Sequence, residues 1–222
     1  MSRDAAAALA ALRSAIEDEL ARNHRPAGSV TLVGVAKRQP LDLVAETIHA
    51  GLADVAENYL QEAQEAFAAL PPVRRHFIGH LQTNKAKAVA ELFDVVQSVD
   101  SNRAGLALAN AAERIGKRVT VLLQVNISPT ERFGCSPEEA PRLADELRAH
   151  AALHFDGVMA IGPLAQSREE ISRAFALAAK TFDRVGGTTL SIGMSGDWRE
   201  AVRAGSTMVR VGTALFGGRI SA

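Results

Sequence analysis

The stretch VTLVGVAK, residues 30–37, is a short aliphatic and β-branched run that ends in a single lysine. A run of this kind is typical of a strand buried on both faces. The chain has eight apolar runs of this kind, each followed by a turn or a helical segment. The first covers 31–36, and the others lie at 53–57, 75–80, 93–99, 119–127, 153–161, 188–193 and 207–212. This alternation indicates a parallel sheet, because parallel neighbours need a crossover connection.

The number and spacing of the runs favour a closed barrel. They recur on average about every 25 residues between residues 31 and 207, close to one βα unit of a barrel. We therefore predict an α/β fold, a single-domain (β/α)8 TIM barrel over residues 29–218. A leading helix and connection occupy 1–28, so that 1–222 form one domain. A doubly wound sheet is the alternative, but no GxGxxG phosphate turn follows the first strand.

The charge balance and the cysteine content narrow the class of protein. The chain has 25 basic and 25 acidic residues, so no net field draws it to nucleic acid or to a membrane surface. One cysteine, Cys135, excludes an internal disulfide and fits a reducing compartment. The N-terminal Ala/Leu run is interrupted by Arg13, Glu17 and Asp18, unlike a signal peptide. We expect a cytoplasmic protein without nucleic-acid or membrane partners.

A barrel predicts that functional residues gather at the carboxyl ends of its strands. Ser195 and Gly196 follow the seventh run, and Gly212 and Thr213 follow the eighth. Glycine lets a backbone approach an anion, hydroxyl groups donate to it, and helix N-termini attract it. The loops after strands seven and eight are a frequent phosphate site. The alternative is that these residues form ordinary turns and helix caps.

Two basic residues lie at strand ends where they could face such a site. Arg210 interrupts an apolar strand, so it either points into the barrel mouth, where it needs a partner, or forms a salt bridge at the rim. Lys37 is either a solvated charge or a nucleophile that forms a Schiff base. A carbonyl compound bearing a phosphate would bridge Lys37 and the predicted anion site, and pyridoxal 5′-phosphate (PLP) is such a compound.

The remaining candidate at a strand end is His80, in FIGHLQTNK. It could bind a metal, act as an acid or base, or cap a strand. The chain has two HxxxH spacings, 76/80 and 150/154, but no HxH pair, no cysteine partner for them and no GxSxG elbow, so neither a metal site nor Ser-His-Asp catalysis is expected. The Thr83/Asn84 pair predicts a helix start, and Asp100 with Ser101 predicts a turn or an N-cap.

Eight motifs, spread from about residue 30 to residue 217, resemble the pyridoxal phosphate homeostasis protein family. They are VGVAK (33–37), AENYLQEA (56–63), HFIGHLQTNKAK (76–87), VQSVDS (96–101), LLQVNIS (122–128), GVMAIGP (157–163), SIGMSGDW (191–198) and VRVGTALFG (209–217). The resemblance implies a barrel like that of alanine racemase and PLP held on a lysine.

The resemblance also implies roles for individual residues. It implies that Lys37 forms the internal aldimine with PLP, that Ser195 binds the phosphate, and that Arg210 faces the pyridine nitrogen. Gly212 and Thr213 would bind the phosphate as well. Asn58 and His80 occupy family motifs near the cofactor, with no role specified.

Two positions depart from the family pattern. Ala56 stands where the family often has glycine, and Arg132 stands where it often has lysine. A phosphate- or cofactor-handling role of that lysine would have to be met by Arg132, which is not an equivalent donor.

We expect a non-catalytic PLP-binding protein that serves intracellular PLP (vitamin B6) homeostasis and amino-acid balance, with PLP-dependent apoenzymes as candidate partners. Racemisation needs two bases, and the resemblance implies that the second, a tyrosine, comes from a C-terminal domain that a chain ending at Ala222 is expected to lack. The single tyrosine, Tyr59, is expected to pack. An arginine on the ring nitrogen keeps the ring a weak electron sink. Two alternative functions stay open. One is a PLP-dependent racemase or related enzyme, and the other is an aldolase-type barrel that uses Lys37 without PLP. We expect a monomer.

Overall fold

A computed structural model describes residues 4–128, 130, 132–163 and 167–217. Its eight strands form one closed parallel barrel in sequence order: β1 (Thr31–Val35), β2 (Asp54–Glu57), β3 (Arg74–Phe77), β4 (Val95–Val99), β5 (Val119–Val125), β6 (Leu153–Ala160), β7 (Thr189–Ser191) and β8 (Met208–Val211). β8 pairs with β1, which closes the sheet. The barrel prediction is confirmed and the doubly wound alternative is wrong. The predicted domain limits at residues 1, 218 and 222 lie outside the described residues.

The barrel is surrounded by helices. They are α1 (Ala5–Arg22), α2 (Leu41–His49), α3 (Leu60–Ala69), α4 (Ala86–Leu92), α5 (Asn102–Arg114), α6 (Ala140–Arg148), α7 (Arg168–Val185), α8 (Trp198–Arg203) and α9 (Thr213–Phe216), with a 3-10 turn at Thr83–Lys85 before α4. Of these, α2 to α8 connect successive strands, α1 precedes β1 and α9 follows β8. Ser101 caps α5 by accepting the Ala104 N–H at 3.3 Å, as predicted. Ser167 and Glu170 form a reciprocal capping box at the start of α7.

The leading helix α1 is present as predicted, and it packs against α2, α8 and α9. Asp4 caps it by accepting the Ala7 N–H at 2.9 Å. The buried Glu19 accepts a hydrogen bond from Arg203 Nε of α8 at 2.8 Å, and Arg13 donates to the Gly51 carbonyl after α2 at 2.8 Å. These contacts hold α1 across the seam between β8 and β1.

The strands are buried on both faces, and the two faces carry different residues. The outward face packs against the helices in one large apolar cluster, in which Phe93 and Phe175 are fully buried. The inward face has a separate small cluster of Val33, Val35, Ala56 and Met208. Because residues on a strand alternate between faces, every second strand residue points into the barrel. No helix of the described part of the chain is long and apolar enough to cross a bilayer.

Candidate functional site

A pocket of about 360 Å³ lies at the carboxyl ends of the strands. Its volume falls at the small end of the usual range for ligand sites. Seven of the eight residues singled out from the sequence line this pocket, and they come from the ends of four strands: Lys37, Asn58, Ser195, Gly196, Arg210, Gly212 and Thr213. The eighth, His80, is not among its lining residues. The apolar part of the lining includes Ile78, Met159 and Ile161.

Lys37 lies two residues after the end of β1 and lines the pocket. Val35, two residues earlier, belongs to the inward-facing cluster, so alternation directs Lys37 toward the same side. The backbone then turns sharply: Arg38 adopts a left-handed conformation with φ 55°, and the Gln39 N–H donates to the Ala36 carbonyl at 2.9 Å. A non-glycine residue in this region is strained, and such strain is concentrated at functional sites. The turn directs the chain away after Lys37 and leaves its half-buried side chain at the pocket.

The opposite wall carries a cluster of donors suited to an anion. Ser195 Oγ accepts the Gly212 N–H at 3.2 Å and the Ala214 N–H at 3.3 Å. Gly196 has no atom within 4 Å of where a Cβ would lie, so its backbone borders open space. Because Ser195 Oγ accepts these two N–H groups, its hydroxyl proton is left to donate; this hydroxyl and the glycine backbone beside it form an anion nest of the kind that binds phosphate.

Arg210 is buried, with 3% of its surface exposed, and it is held by the barrel interior. Its Nη1 donates to the Ser191 carbonyl at 2.8 Å and to Ser191 Oγ at 2.6 Å, and its Nη2 donates to the Ala160 carbonyl at 2.9 Å. Burial lowers the pKa of Arg210 to about 10, and nearby Asp197 partly offsets that effect. The guanidinium therefore stays charged at neutral pH and points into the pocket rather than to the rim.

Two buried acceptors on the pocket wall have no donor among the described residues. They are Asn58 Oδ1 and Gln39 Oε1, and both residues line the pocket. Leaving a buried acceptor unsatisfied is unfavourable by about 1–3 kcal/mol. Such groups at a cavity wall are therefore expected to meet a ligand. The pocket thus combines an amine, an anion nest, a fixed cation and unsatisfied polar groups, which suits a small phosphorylated carbonyl compound.

Glu57, the last residue of β2, is a buried carboxyl beside this site that the sequence prediction did not include. It is 3% exposed, and its Oε2 has no hydrogen-bond partner in the described part of the chain. Burial raises the pKa of Glu57 to about 7, with a further increase from Glu62 and a decrease from Lys37. The electrostatic contact with Lys37 means that the charge on Glu57 bears on the amine.

His80 lies on a neighbouring part of the mouth. Its ring stacks on Phe133 with 4.1 Å between centroids, and its Nδ1 is 3.7 Å from Asp100 Oδ2. Strand β3 ends at Phe77, earlier than the predicted run, so His80 belongs to the following loop. That loop passes so close to β2 that a Cβ on Gly79 would lie 1.9 Å from the Asn58 carbonyl oxygen. The predicted cofactor role of His80 stays a prediction.

A second cavity, of about 570 Å³, adjoins the first and shares Ile161 with it. Phe133 and Arg132 line it, and Arg132 Nη1 donates to the Gly162 carbonyl at 3.4 Å.

Tyr59, which was expected to pack, is 51% exposed at the start of α3; that expectation is wrong. Among the described residues, no group of three or more His, Cys, Asp or Glu side chains is arranged to hold a metal ion.

Comparison with known proteins extends the likeness over the whole barrel. The family model described as "Alanine racemase, N-terminal domain" matches residues 9–220. The pyridoxal phosphate homeostasis protein of Pseudomonas aeruginosa is 40% identical over 200 residues, which covers 88% of this chain and 87% of that protein. PipY of Synechococcus elongatus, solved with PLP bound, superposes with a TM-score of 0.77 at 34% identity, covering 91% of this chain and all of PipY. Alanine racemase of Clostridium difficile shares the fold (TM-score 0.73) at only 15% identity, and this chain covers 57% of it.

Proposed function

This chain belongs to the pyridoxal phosphate homeostasis protein family, and from that premise we propose that it binds PLP covalently through Lys37 and acts in PLP homeostasis without catalysing a reaction. One observation carries the proposal: a single pocket combines the Lys37 amine, the anion nest at Ser195 and Gly212, and the buried Arg210 guanidinium. PLP has an aldehyde, a phosphate and a ring nitrogen, one group for each of these three features.

Each part of the pocket has a distinct task in this proposal. PLP supplies, when bound, an aldehyde that an amine can capture and a ring that can accept electrons. Lys37 would hold PLP covalently through Nζ, the amine that can condense with an aldehyde. Ser195, through its hydroxyl, and the glycine backbone beside it would hold the phosphate. Arg210 would face the ring nitrogen.

The same residues favour holding PLP over using it. A guanidinium does not surrender its proton at neutral pH, so Arg210 leaves the ring nitrogen unprotonated and the ring a weak electron sink. Within the described lining of the pocket, Lys37 and Arg210 are the only residues with an ionisable amine, guanidinium, carboxyl or imidazole. Racemisation uses a base on each face of the substrate. Only Lys37 among these lining residues can exchange a proton readily, so the pocket supplies one base.

We test PLP binding with the absorption spectrum of the purified protein, before and after borohydride reduction, and with mass mapping of the modified lysine. The expected result is a visible band and reductive attachment of PLP to Lys37. Lys37→Ala should lose both. Lys87→Ala removes an exposed lysine of α4, paired with Glu91 at 3.8 Å, and should retain both. A visible band and borohydride-stable PLP in Lys37→Ala protein would contradict the proposal.

Two alternatives are separated by activity measurements on the same protein. A PLP-dependent racemase would racemise alanine or serine well above the rate of free PLP. An aldolase-type barrel would be colourless as purified, and borohydride would trap a sugar phosphate on Lys37 instead.

The proposed physiological task is to buffer PLP in the cytoplasm and to supply PLP-dependent apoenzymes. It is tested by mixing the PLP-loaded protein with an apo-aminotransferase, in the presence of a phosphatase that destroys free PLP. Reactivation of the apoenzyme under these conditions supports direct supply. Reactivation no faster than release into solution reduces the task to buffering. Size-exclusion chromatography with light scattering tests the expected monomer.

A further inference from the structure

Five polar side chains form one continuous hydrogen-bonded chain through the barrel interior. Arg210 Nη1 donates to Ser191 Oγ at 2.6 Å, and Ser191 Oγ donates to Gln97 Oε1 at 2.7 Å. Gln97 Nε2 lies 2.9 Å from His76 Nδ1, and His76 Nε2 lies 2.8 Å from Asp54 Oδ1. The five residues of this hydrogen-bonded chain therefore lie on β8, β7, β4, β3 and β2, in that order.

The hydrogen-bonded chain connects the two ends of the barrel. Arg210 lines the pocket at the carboxyl ends of the strands, whereas Asp54, the first residue of β2, lines a separate cavity at their amino ends. His76, Gln97 and Ser191 lie between them and have no solvent exposure. Water therefore cannot replace any link of the chain.

The hydrogen-bond directions follow from the two charged ends. Asp54 can only accept when ionised, so His76 must carry its proton on Nε2. His76 Nδ1 is then an acceptor, which orients the Gln97 amide with its nitrogen toward the imidazole and its oxygen toward Ser191. Burial lowers the pKa of His76, which keeps the ring neutral. Every link consequently donates in the same direction, from the cation Arg210 to the anion Asp54, and hydrogen bonds aligned in this way strengthen one another.

Burying five polar side chains inside an apolar barrel is unfavourable for stability, so the hydrogen-bonded chain is expected to serve a function. Its neighbours on the inward face, Val33, Val35, Ala56 and Met208, show that aliphatic residues fill this interior well. Removing any one link leaves buried donors or acceptors on both sides of the gap. The group that the chain delivers to the pocket is Arg210. Its Nε–H donates to no group among the described residues, so a donor remains for a ligand.

We propose that His76, Gln97 and Ser191 are positioning residues for Arg210: through their one-directional chain to Asp54 they fix the guanidinium against the ring of the cofactor. This inference rests on the proposed function for the identity of the ligand, but the chain itself can be tested without PLP. The positioning residues do not contact the cofactor. They act only through Arg210, and that dependence is what the experiments measure.

The first experiment uses the cofactor-free protein. The hydrogen exchange of the Arg210 Nε–H, followed by ¹⁵N NMR and assigned with Arg210→Lys, reports how firmly the guanidinium is held. Gln97→Leu removes both central links at similar volume and should accelerate exchange at least about tenfold, the effect of losing one well-placed buried hydrogen bond. Ser98→Ala is the matched control, because Ser98 is buried on the same strand and its hydroxyl has no partner. Unchanged exchange in Gln97→Leu refutes the positioning role, whether or not the protein binds PLP.

The second experiment is a double-mutant cycle on PLP affinity, with Gln97→Leu, Arg210→Leu and the double variant. Gln97→Leu should weaken PLP binding about tenfold, shift the visible band, and still attach PLP to Lys37 on borohydride treatment. In the Arg210→Leu background the same change should weaken binding less than about twofold, because the group through which it acts is gone. An equal loss in both backgrounds overturns the proposal. If Lys37 does not hold PLP, no variant shows a band, and only the proposed function fails.

Ser191 provides a second, smaller perturbation in case Gln97→Leu does not fold. Ser191→Ala should reproduce the faster Arg210 exchange and the weaker PLP binding. Ser191→Thr keeps the hydroxyl and should restore both toward the wild-type values. Equal behaviour of the alanine and threonine variants would show that the hydroxyl link is irrelevant and would overturn the proposal.

Discussion

Replacing Glu57 by glutamine is expected to remove a pH dependence from the stability of the protein. Glu57 is 3% exposed, its Oε2 has no hydrogen-bond partner, and burial raises its pKa from 4.5 to about 7. Glutamine has almost the same shape and cannot ionise. The substitution therefore removes the ionisation of this carboxyl with little change in packing.

The sign and size of the effect follow from linkage. Between pH 4.5 and about 7 the folded protein retains the Glu57 proton that the unfolded chain has lost, so the free energy of unfolding falls as pH rises through this window. One pKa unit corresponds to about 1.4 kcal/mol, so the complete loss is on the order of 3 kcal/mol above pH 7. Relative to wild type, Glu57→Gln should gain about 2.5 kcal/mol in stability between pH 5 and pH 8.

Urea unfolding of both proteins at half-unit steps from pH 5 to pH 8, in the absence of PLP, measures this difference. Glu65→Gln, an exposed carboxyl on α3, is the matched control and should follow the wild-type curve. Parallel curves for wild type and Glu57→Gln would show that Glu57 ionises normally in the folded state. That result would refute the argument from burial.

Three further predictions concern the pocket and its surroundings. Ser195→Ala should weaken PLP binding about 10- to 100-fold, because a hydroxyl bonded to a charged group contributes about 1.5–3 kcal/mol; equilibrium dialysis measures it, and unchanged affinity would remove Ser195 from the site. Gly79→Ala should lower both stability and PLP retention, since its Cβ would lie 1.9 Å from the Asn58 carbonyl oxygen; Gly116→Ala, where a Cβ meets nothing within 4 Å, should leave PLP retention unchanged. Burial raises the pKa of Cys135 to about 12, so iodoacetamide at pH 8 should label it only after unfolding, and rapid labelling of the folded protein would contradict its burial.

Much of the barrel was predictable because its strands are short, aliphatic and separated by strong helix formers. Each of the eight apolar runs coincides with one observed strand; seven runs contain their strand, and β3 begins at Arg74, one residue before its run. The strand ends were less accurate. The run through His80 continues past Phe77, where β3 stops, because Phe-Ile-Gly remains apolar after the ladder has ended. The helix start predicted at Thr83/Asn84 is a 3-10 turn over Thr83–Lys85, and α4 begins directly after it at Ala86.

The pocket lining was predictable for a topological reason. In a barrel of parallel strands, every strand end lies on the same rim, so polar residues far apart in the chain meet there. Lys37, Ser195 and Arg210 were predicted to lie together for this reason, and all three line one pocket. The shared rim does not distinguish His80, which also follows a strand but stacks on Phe133.

The hydrogen-bonded chain inside the barrel, from Arg210 to Asp54, could not be predicted from the hydrophobic pattern of the sequence. Strands of a parallel barrel are buried on both faces, so alternation of apolar and polar residues does not reveal which side faces inward. A usable signal did exist: His76, Gln97 and Ser191 are each a polar residue within an apolar run, as Arg210 is. One such residue could be tolerated anywhere, but four on neighbouring or facing strands must find partners, because water cannot reach them. The hydrogen-bonded chain that begins at the Arg210 cation ends at a carboxyl, Asp54. The search for a function in a barrel of this kind should therefore include polar residues inside the strands as well as those at their ends.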